Sequence, residues 1–291
     1  MITVYVESLA VVGPGLVDWN QAAAVLRDLS TYVPTKVVLD GAAAMTANER
    51  RRTTPLIRLA LQAVEQLSTH SSFDLSSAMS VFATSWGDPQ VMDNVMCALT
   101  LPGLPVSPVQ FHNIVHNTAA GYWSIGSGAQ GLSTSLTAAN ATVAAGLIEA
   151  FVCLSDSDAP LVLVCYDHPL PASWDKFHHI ETPFAVAMAL TTTPAERCRC
   201  AMRLELIRQQ PETRMAQPGL EALRLGNPAA RALPLLQAIA AGASGRVILP
   251  SNIEVSCLAV DIFPMREQEQ QDDLESRERV LAAIATPAGA A

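Results

Sequence analysis

The chain has 291 residues, 50% of them apolar and 15% charged, with a formal net charge of −9. That length can bury a sizeable core, and the apolar content excludes a natively disordered chain. The acidic balance, with only Lys36 and Lys176 as lysines, excludes the basic stripe a nucleic-acid partner requires.

In chain order, residues 2–12 read as a strand, carrying Val4, Val6 and the apolar run 9–12. Residues 17–30 suit a short helix, and Lys-Val-Val-Leu at 36–39 a short strand. From Pro55 to Leu67, Leu56, Leu59, Ala60, Ala63, Val64 and Leu67 recur at helical spacing, with proline at a tolerated first-turn position. Residues 77–84 are apolar and β-branched enough for a buried strand, and 88–101 resume a helical pattern. A loop with Pro102, Pro105 and Pro108 leads to a helix expected at about 109–119, then to a glycine-rich stretch from Gly121 to Gly131.

Residues 133–136 form a short strand candidate running into 140–154, a helix so apolar that it must be buried on every side. Residues 161–166 are a continuous apolar strand, as in a sheet covered on both faces. Two more strands fall at 184–191 and 200–207. Alternating strands and helices up to about residue 208 specify an α/β fold with a mixed, mostly parallel sheet.

Beyond it, 209–228 is polar with scattered prolines and reads as a linker. A short helix at 233–241 and strands at 246–249 and 254–263, joined by a Pro-Ser-Asn turn, complete a second unit. The organisation expected is therefore 1–208, a short remnant at 209–265, and a frayed tail at 266–291.

The six cysteines (Cys97, Cys153, Cys165, Cys198, Cys200 and Cys257) form no Cys-x-x-Cys pair, so reduced thiols are expected rather than a disulfide framework or zinc site. The N-terminus lacks the basic region of a signal peptide, and no apolar run reaches the ~18 residues of a membrane span. The cytoplasm is the expected compartment.

The stretch 107–142 carries a resemblance. Asn117-Thr118-Ala119-Ala120-Gly121, Gly128-Ala129-Gln130-Gly131, the strand Ser133-Thr134-Ser135-Leu136 and the small-residue turn Thr137-Ala138-Ala139-Asn140 follow one another in order. This resembles the β-ketoacyl synthase pattern of an Asn-x-x-Ala-Gly turn, a Gly-x-x-Gly segment, a short strand and a Thr-Ala-Cys elbow. The resemblance covers roughly residues 1–208 and implies the N-terminal half of a thiolase-like fold. It implies a mixed sheet with a buried helix, the second half being truncated or replaced.

The same resemblance places Asn140 where the family carries its nucleophilic cysteine. Condensation in that family needs a thiolate at a helix N-terminus, where the dipole lowers its pKa, together with histidines that stabilise an oxyanion and a supporting lysine. No histidine follows His179 and no lysine follows Lys176. An amide cannot carry an acyl group, so Asn140 is expected to cap the helix behind it, with contact to an acyl chain or carrier thiol as the alternative, and no catalysis by this chain alone is expected.

Other constellations are weaker. His112 and His116 have zinc-helix spacing but no glutamate between them. Asp167-His168 and Asp175 with His178-His179 sit in a proline-containing loop, where exposed polar residues are ordinary. No Gly-x-Ser-x-Gly elbow and no dinucleotide fingerprint occur, so no cofactor and no metal are expected. Cys165 lies mid-strand and reads as an inert buried thiol.

A lost second half would leave a large apolar face on the 140–154 helix, which calls for a partner. The resemblance implies a non-catalytic subunit like the chain-length factors of polyketide systems, most like those of aryl polyene (xanthomonadin-type) clusters. It would pair with a catalytic ketosynthase as a heterodimer through strand 133–136 and meet acyl carrier protein transiently. Phe111, Ile114 and Val115, before the Asn117 turn, are the residues expected to line the acyl tunnel. Two alternatives stay open: an acyl transferase or hydrolase on the same scaffold, and a docking module for acyl carrier protein.

Overall fold

The structure, a computed structural model, describes residues 2–103, 106–174, 176 and 178–265. The expected tail at 266–291, Pro105 and Asp175 lie outside the described residues. The described residues form eight strands: β1 (Val4–Val12), β2 (Met79–Thr84), β3 (Ser133–Thr137), β4 (Leu161–Asp167), β5 (Phe184–Thr191), β6 (Cys200–Arg208), β7 (Gly245–Pro250) and β8 (Ser256–Pro264). They join one sheet in the order β3-β2-β4-β5-β1-β6-β8-β7. β2 runs parallel to β3 and β4, and the other pairs are antiparallel.

The central strands are buried on both faces, which is why they read as unbroken apolar runs. Alternate residues divide between two cores. Leu161, Leu163 and Cys165 of β4 face one, and Val162, Val164 and Tyr166 the other. In β5 the division is by size: Phe184, Val186, Met188 and Leu190 on the first face, Ala185, Ala187 and Ala189 on the second. In β1 the first core takes Val4 and Val6, then Leu9 and Val11, and a bulge between Val6 and Ser8 makes that change of parity.

Helices α1 (Trp19–Arg27), α2 (Ala47–Arg50), α3 (Pro55–His70), α4 (Pro89–Thr100), α5 (Pro108–Asn113), α6 (Thr118–Ser127), α7 (Thr142–Ser155), α8 (Pro218–Gly226) and α9 (Leu233–Ala241) complete the fold. α1, α7 and α9 belong to the first core, while α3 and α6 cover the second. α3 is specified locally: Thr54 accepts from Ile57 N, Pro55 opens the first turn, and Leu56, Leu59, Ala60, Ala63, Val64 and Leu67 are buried.

Six expectations need correction. The sheet is mixed but mostly antiparallel, not mostly parallel: helical crossovers join β2 to β3 and β3 to β4, while the other five strand pairs are antiparallel. Residues 36–39 form no strand, because their backbone bonds go to α3: Gln62 Nε2 donates to Val38 O (3.2 Å) and Asp40 N to Gln62 Oε1 (3.0 Å). The helix expected at 109–119 is two helices. α5 stops at Asn113, whose buried side chain donates to Arg52 O (2.7 Å), and α6 starts at Thr118. Most of the glycine-rich stretch is therefore helical, ending at Gly128 with φ 71°.

The linker expected at 209–228 contains α8, in which Pro218 sits in the first turn and Gln217 accepts from Leu220 N (2.6 Å). Its prolines bracket a helix instead of breaking one. Finally, the large apolar face foreseen on α7 is covered. Residues 229–232, α9 and β7 supply Ala229, Ala230, Leu233, Leu236, Val247 and Leu249 to the same core, leaving Val152 outward at 57% exposure.

Candidate functional site

The sheet has two outer strands, and they are treated differently. β7 is tied along its outer side by Thr213, whose N–H donates to Ile248 O (3.0 Å) and whose Oγ1 accepts from Ile248 N (2.9 Å). β3 pairs with β2 alone, from Ser80↔Ser133 to Thr84↔Thr137. Among the described residues no strand lies on its other edge, and an edge of that kind is a template for another strand. Gly131 permits the close approach to β2, since a Cβ there would stand 2.5 Å from Ala78 O. Ser133 is exposed, with its hydroxyl bonded by Ser80 (2.9 Å), and Thr134, Ser135 and Leu136 are half-buried. Ser135 Oγ is buried without a hydrogen-bond partner.

α6 packs on β2 and β3, and the chain around it exposes large apolar side chains. Phe111 is 67% exposed, Leu132 57% and Val115 50%, and Ile125, Met96 and Leu99 are also outward. Of the expected tunnel residues, Phe111 lies in α5 while Ile114 and Val115 fall in the turn after it. Asn117 is the exposed N-cap position of α6 and makes no side-chain cap. His112 is in α5 and His116 lies past its end, so the two do not share a helical face.

The turn after β3 is the second element of the site. Ala138 is buried, Ala139 adopts φ 45°, and residues 139–141 make one 3₁₀ turn before α7. A non-glycine residue in the left-handed region costs of order 1–3 kcal/mol and is held only where its surroundings dictate it. Here Ala138 O accepts from Ala141 N (2.8 Å) and from the Asn252 amide (2.9 Å), and Thr142 Oγ1 donates to Ala139 O (2.6 Å). Asn140 follows the strained residue and is exposed. It does not cap α7 as expected: the N-cap position belongs to Ala141, one residue later, with no side-chain bond. Neither Ala139 nor Asn140 offers a thiol or hydroxyl that could carry an acyl group.

Beside it, at the carboxyl ends of β2 and β4, lies a buried polar knot. Asp167 Oδ1 accepts from Thr84 Oγ1 (2.9 Å), Ser85 N (2.7 Å) and Ser85 Oγ (2.7 Å), and Oδ2 accepts from Ala229 N (3.1 Å). Asn227 Nδ2 donates to Asp167 O (3.1 Å) and Thr182 O (2.8 Å). Burial pushes the Asp167 carboxyl up to about 6, against the opposing pull of those donors. The reading of Asp167 as an exposed loop residue is thus wrong: it ends a central strand and holds residues 227–229 onto the sheet. Burial also lowers His168 and His178, and His178 sits 5.6 Å from the Trp86 ring, which meets Trp174 edge-on at 6.5 Å. Cys165 is fully enclosed, and burial raises its thiol far from the range in which it would ionise.

Sequence reasoning missed Asn252 and misplaced Asp167. Asn252 was visible only as part of a turn, and nothing local marks its bond to Ala138, 114 positions away.

A two-core α/β sheet, a strained turn leading into a buried helix, and a free parallel edge strand together define a ketosynthase-type fold. The chain belongs to the family described as beta-ketoacyl synthase, N-terminal domain, which matches residues 18–246. No curated protein matches it in sequence. Among solved structures, it is similar to a chain of the ketosynthase ApeO in complex with its chain length factor ApeC from Xenorhabdus doucetiae. That match has TM-score 0.68 and 17% identity, over 90% of this chain and 100% of that one. It is also similar to a chain of AntDE:AntF, a type II polyketide ketosynthase with its acyl-carrier protein (TM-score 0.72, 11% identity, 91% and 99% covered). The ishigamide ketosynthase/chain length factor matches with TM-score 0.66 and 13% identity over 90% and 99% of the two chains. The fold is what these proteins share with this chain.

Proposed function

We propose that this chain is a non-catalytic, chain-length-factor-like subunit that pairs with an active β-ketoacyl synthase in cytoplasmic fatty-acid or polyketide synthesis of the aryl polyene type. The observation that carries the reading is the β3–α7 turn, which keeps a strained backbone yet ends in Ala139 and Asn140, neither able to hold an acyl group. The free edge of β3 gives the partner a strand to extend, and the apolar side chains around α6 give it a surface to bury. In this arrangement Ser133, Thr134, Ser135 and Leu136 lie along the heterodimer axis. Phe111, Ile114 and Val115, with Asn117 beyond them, border the partner's acyl tunnel, and acyl carrier protein visits transiently. Residues 209–265 stand in for the second half of the fold.

The test is co-expression with a candidate ketosynthase, followed by mass and condensation assays against each protein alone. A 1:1 heterodimer whose activity requires both chains and survives Asn140→Ala supports the reading. A chain that is active alone, or that becomes covalently acylated by a thioester probe, overturns it.

A further inference from the structure

An apolar cavity lies beside α6, lined by none of the residues that the pairing reading uses. It encloses about 530 Å³ between α3, α6 and the loops at 43–45 and 73–76. Its walls are Met45, Leu61, Phe73, Leu75, Tyr122 and Trp123. That size and lining suit a small organic molecule with an apolar body.

The polar groups decide what else such a molecule must carry. Each lining hydroxyl has already given its proton within the chain: Ser68 to Val64 O (2.9 Å), Ser127 to Trp123 O (2.7 Å), Ser76 to Asp74 Oδ1 (2.6 Å) and Tyr122 to Asn113 Oδ1 (3.5 Å). What remains open is acceptor capacity. Glu65 uses Oε1 to accept from Ala44 N (3.1 Å), and Asp74 uses Oδ1 for Ser76, but neither Oε2 nor Oδ2 has a partner among the described residues. The hydrogen bonds from Ser76 hold the Asp74 carboxyl below its usual range, so it stays ionised near neutrality. No cation among the described residues pairs with either carboxylate. An acid entering this cavity would meet like charge and no side-chain hydroxyl donor, whereas an amine or alcohol would complete two half-used carboxylates.

We propose that this cavity binds a small amphiphile with an aromatic or aliphatic body and a hydrogen-bond-donating head, an alcohol or an amine, and rejects acids. The head lies against Glu65 and Asp74, and the body against Phe73, Tyr122 and Trp123.

The test uses the full chain, with its partner where the two purify together, and three probes of one body: phenylbutanol, phenylbutylamine and phenylbutyrate. Binding is read from fluorescence, with Trp123→Phe to identify the reporting ring. The alcohol and amine are expected to saturate the signal, and the acid to bind about tenfold more weakly or not at all. The double variant Glu65→Gln/Asp74→Asn is expected to weaken the amine by about tenfold, the loss of one charge-assisted hydrogen bond, and the alcohol less. Gly126→Leu, whose added atoms meet the flexible end of Met45 at 3.3 Å, fills the space and is expected to abolish both. Equal binding of the acid overturns the proposal. So does the absence of alcohol and amine binding in protein with native circular dichroism, or binding that survives Gly126→Leu. None of these results bears on pairing with a ketosynthase.

Discussion

Asp167 should make the stability of this protein fall as pH rises from about 4 to about 6. Its carboxyl titrates near 3.8 when exposed and at about 6 when folded, because it is fully buried. A raised acid favours folding while protonated, so its contribution is complete below the unfolded value and lost as pH climbs through the folded one. At about 1.4 kcal/mol per pH unit, that rise corresponds to about 3 kcal/mol. Asp167→Asn removes the titration. The amide oxygen can keep the bonds from Thr84 and Ser85, but an NH₂ group now faces the Ala229 N–H, which keeps only its bond to Asn227 Oδ1 (2.9 Å), and that apposition of two donors costs about 1 kcal/mol. The variant should therefore be less stable than wild type at pH 4 and more stable at pH 7. Urea unfolding followed by circular dichroism at half-unit pH intervals gives the difference curve directly. A flat curve would mean that the carboxyl keeps its ordinary pKa. A curve of opposite slope would mean that four donors outweigh burial, and either result refutes the reasoning.

Other consequences are local. Phe111→Asp and Leu132→Asp alter exposed side chains, so the chain alone should keep its stability to about 0.5 kcal/mol while binding to a ketosynthase weakens at least about tenfold; sedentation-velocity titration measures this, and unchanged affinity removes these residues from the interface. Gly131→Ala drives a Cβ toward Ala78 O at 2.5 Å and should cost about 2 kcal/mol by pushing β3 off β2, read by urea unfolding. Phe82→Ala empties a fully buried site that meets Tyr166 edge-on at 6.1 Å, and about 3–5 kcal/mol should be lost in the same assay. With a thiol reagent on folded protein, the exposed Cys97 should react fast and Cys165 and Cys200 only on unfolding; rapid labelling of Cys165 would revive it as a nucleophile.

What could be read from the sequence follows the range of the interactions involved. The β4 and β5 runs are apolar because both faces are covered, and that pattern is written in consecutive residues. The α3 helix is marked by its own cap, proline and spacing. For the candidate site, the sequence offered the family's motifs in order, around the Asn117 turn and the turn ending at Asn140. Long-range pairing left no such mark. Nothing within 209–265 says that β8 will extend the sheet from β6, or that residues 229–232 will cover α7. Polar residues around proline looked like a linker until Gln217 and Pro218 were seen to open a helix. Asp167 carries the same lesson, since one charged residue after an apolar run looks solvated until Ala229 arrives from 62 positions away.

The turn at Ala139 shows how neighbouring structure holds a strained backbone, since a residue at φ 45° would relax if nothing beyond the turn required it. Here the turn has structural obligations on both sides. β3 must end in register with Thr84, and α7 must begin at Thr142 for Val143, Ala144 and Leu147 to enter the core. Only a few residues separate those two points, and Asn252 and Thr142 fasten the carbonyls of Ala138 and Ala139 within them. The core on α7 and the edge at β3 thus fix the geometry from outside the turn. Asn252→Ala tests this directly: if these flanking contacts hold the turn, the variant should lose about 1 kcal/mol in urea unfolding without disturbing the far edge at β7. Unchanged stability would leave the α7 core as the sole support of the strain.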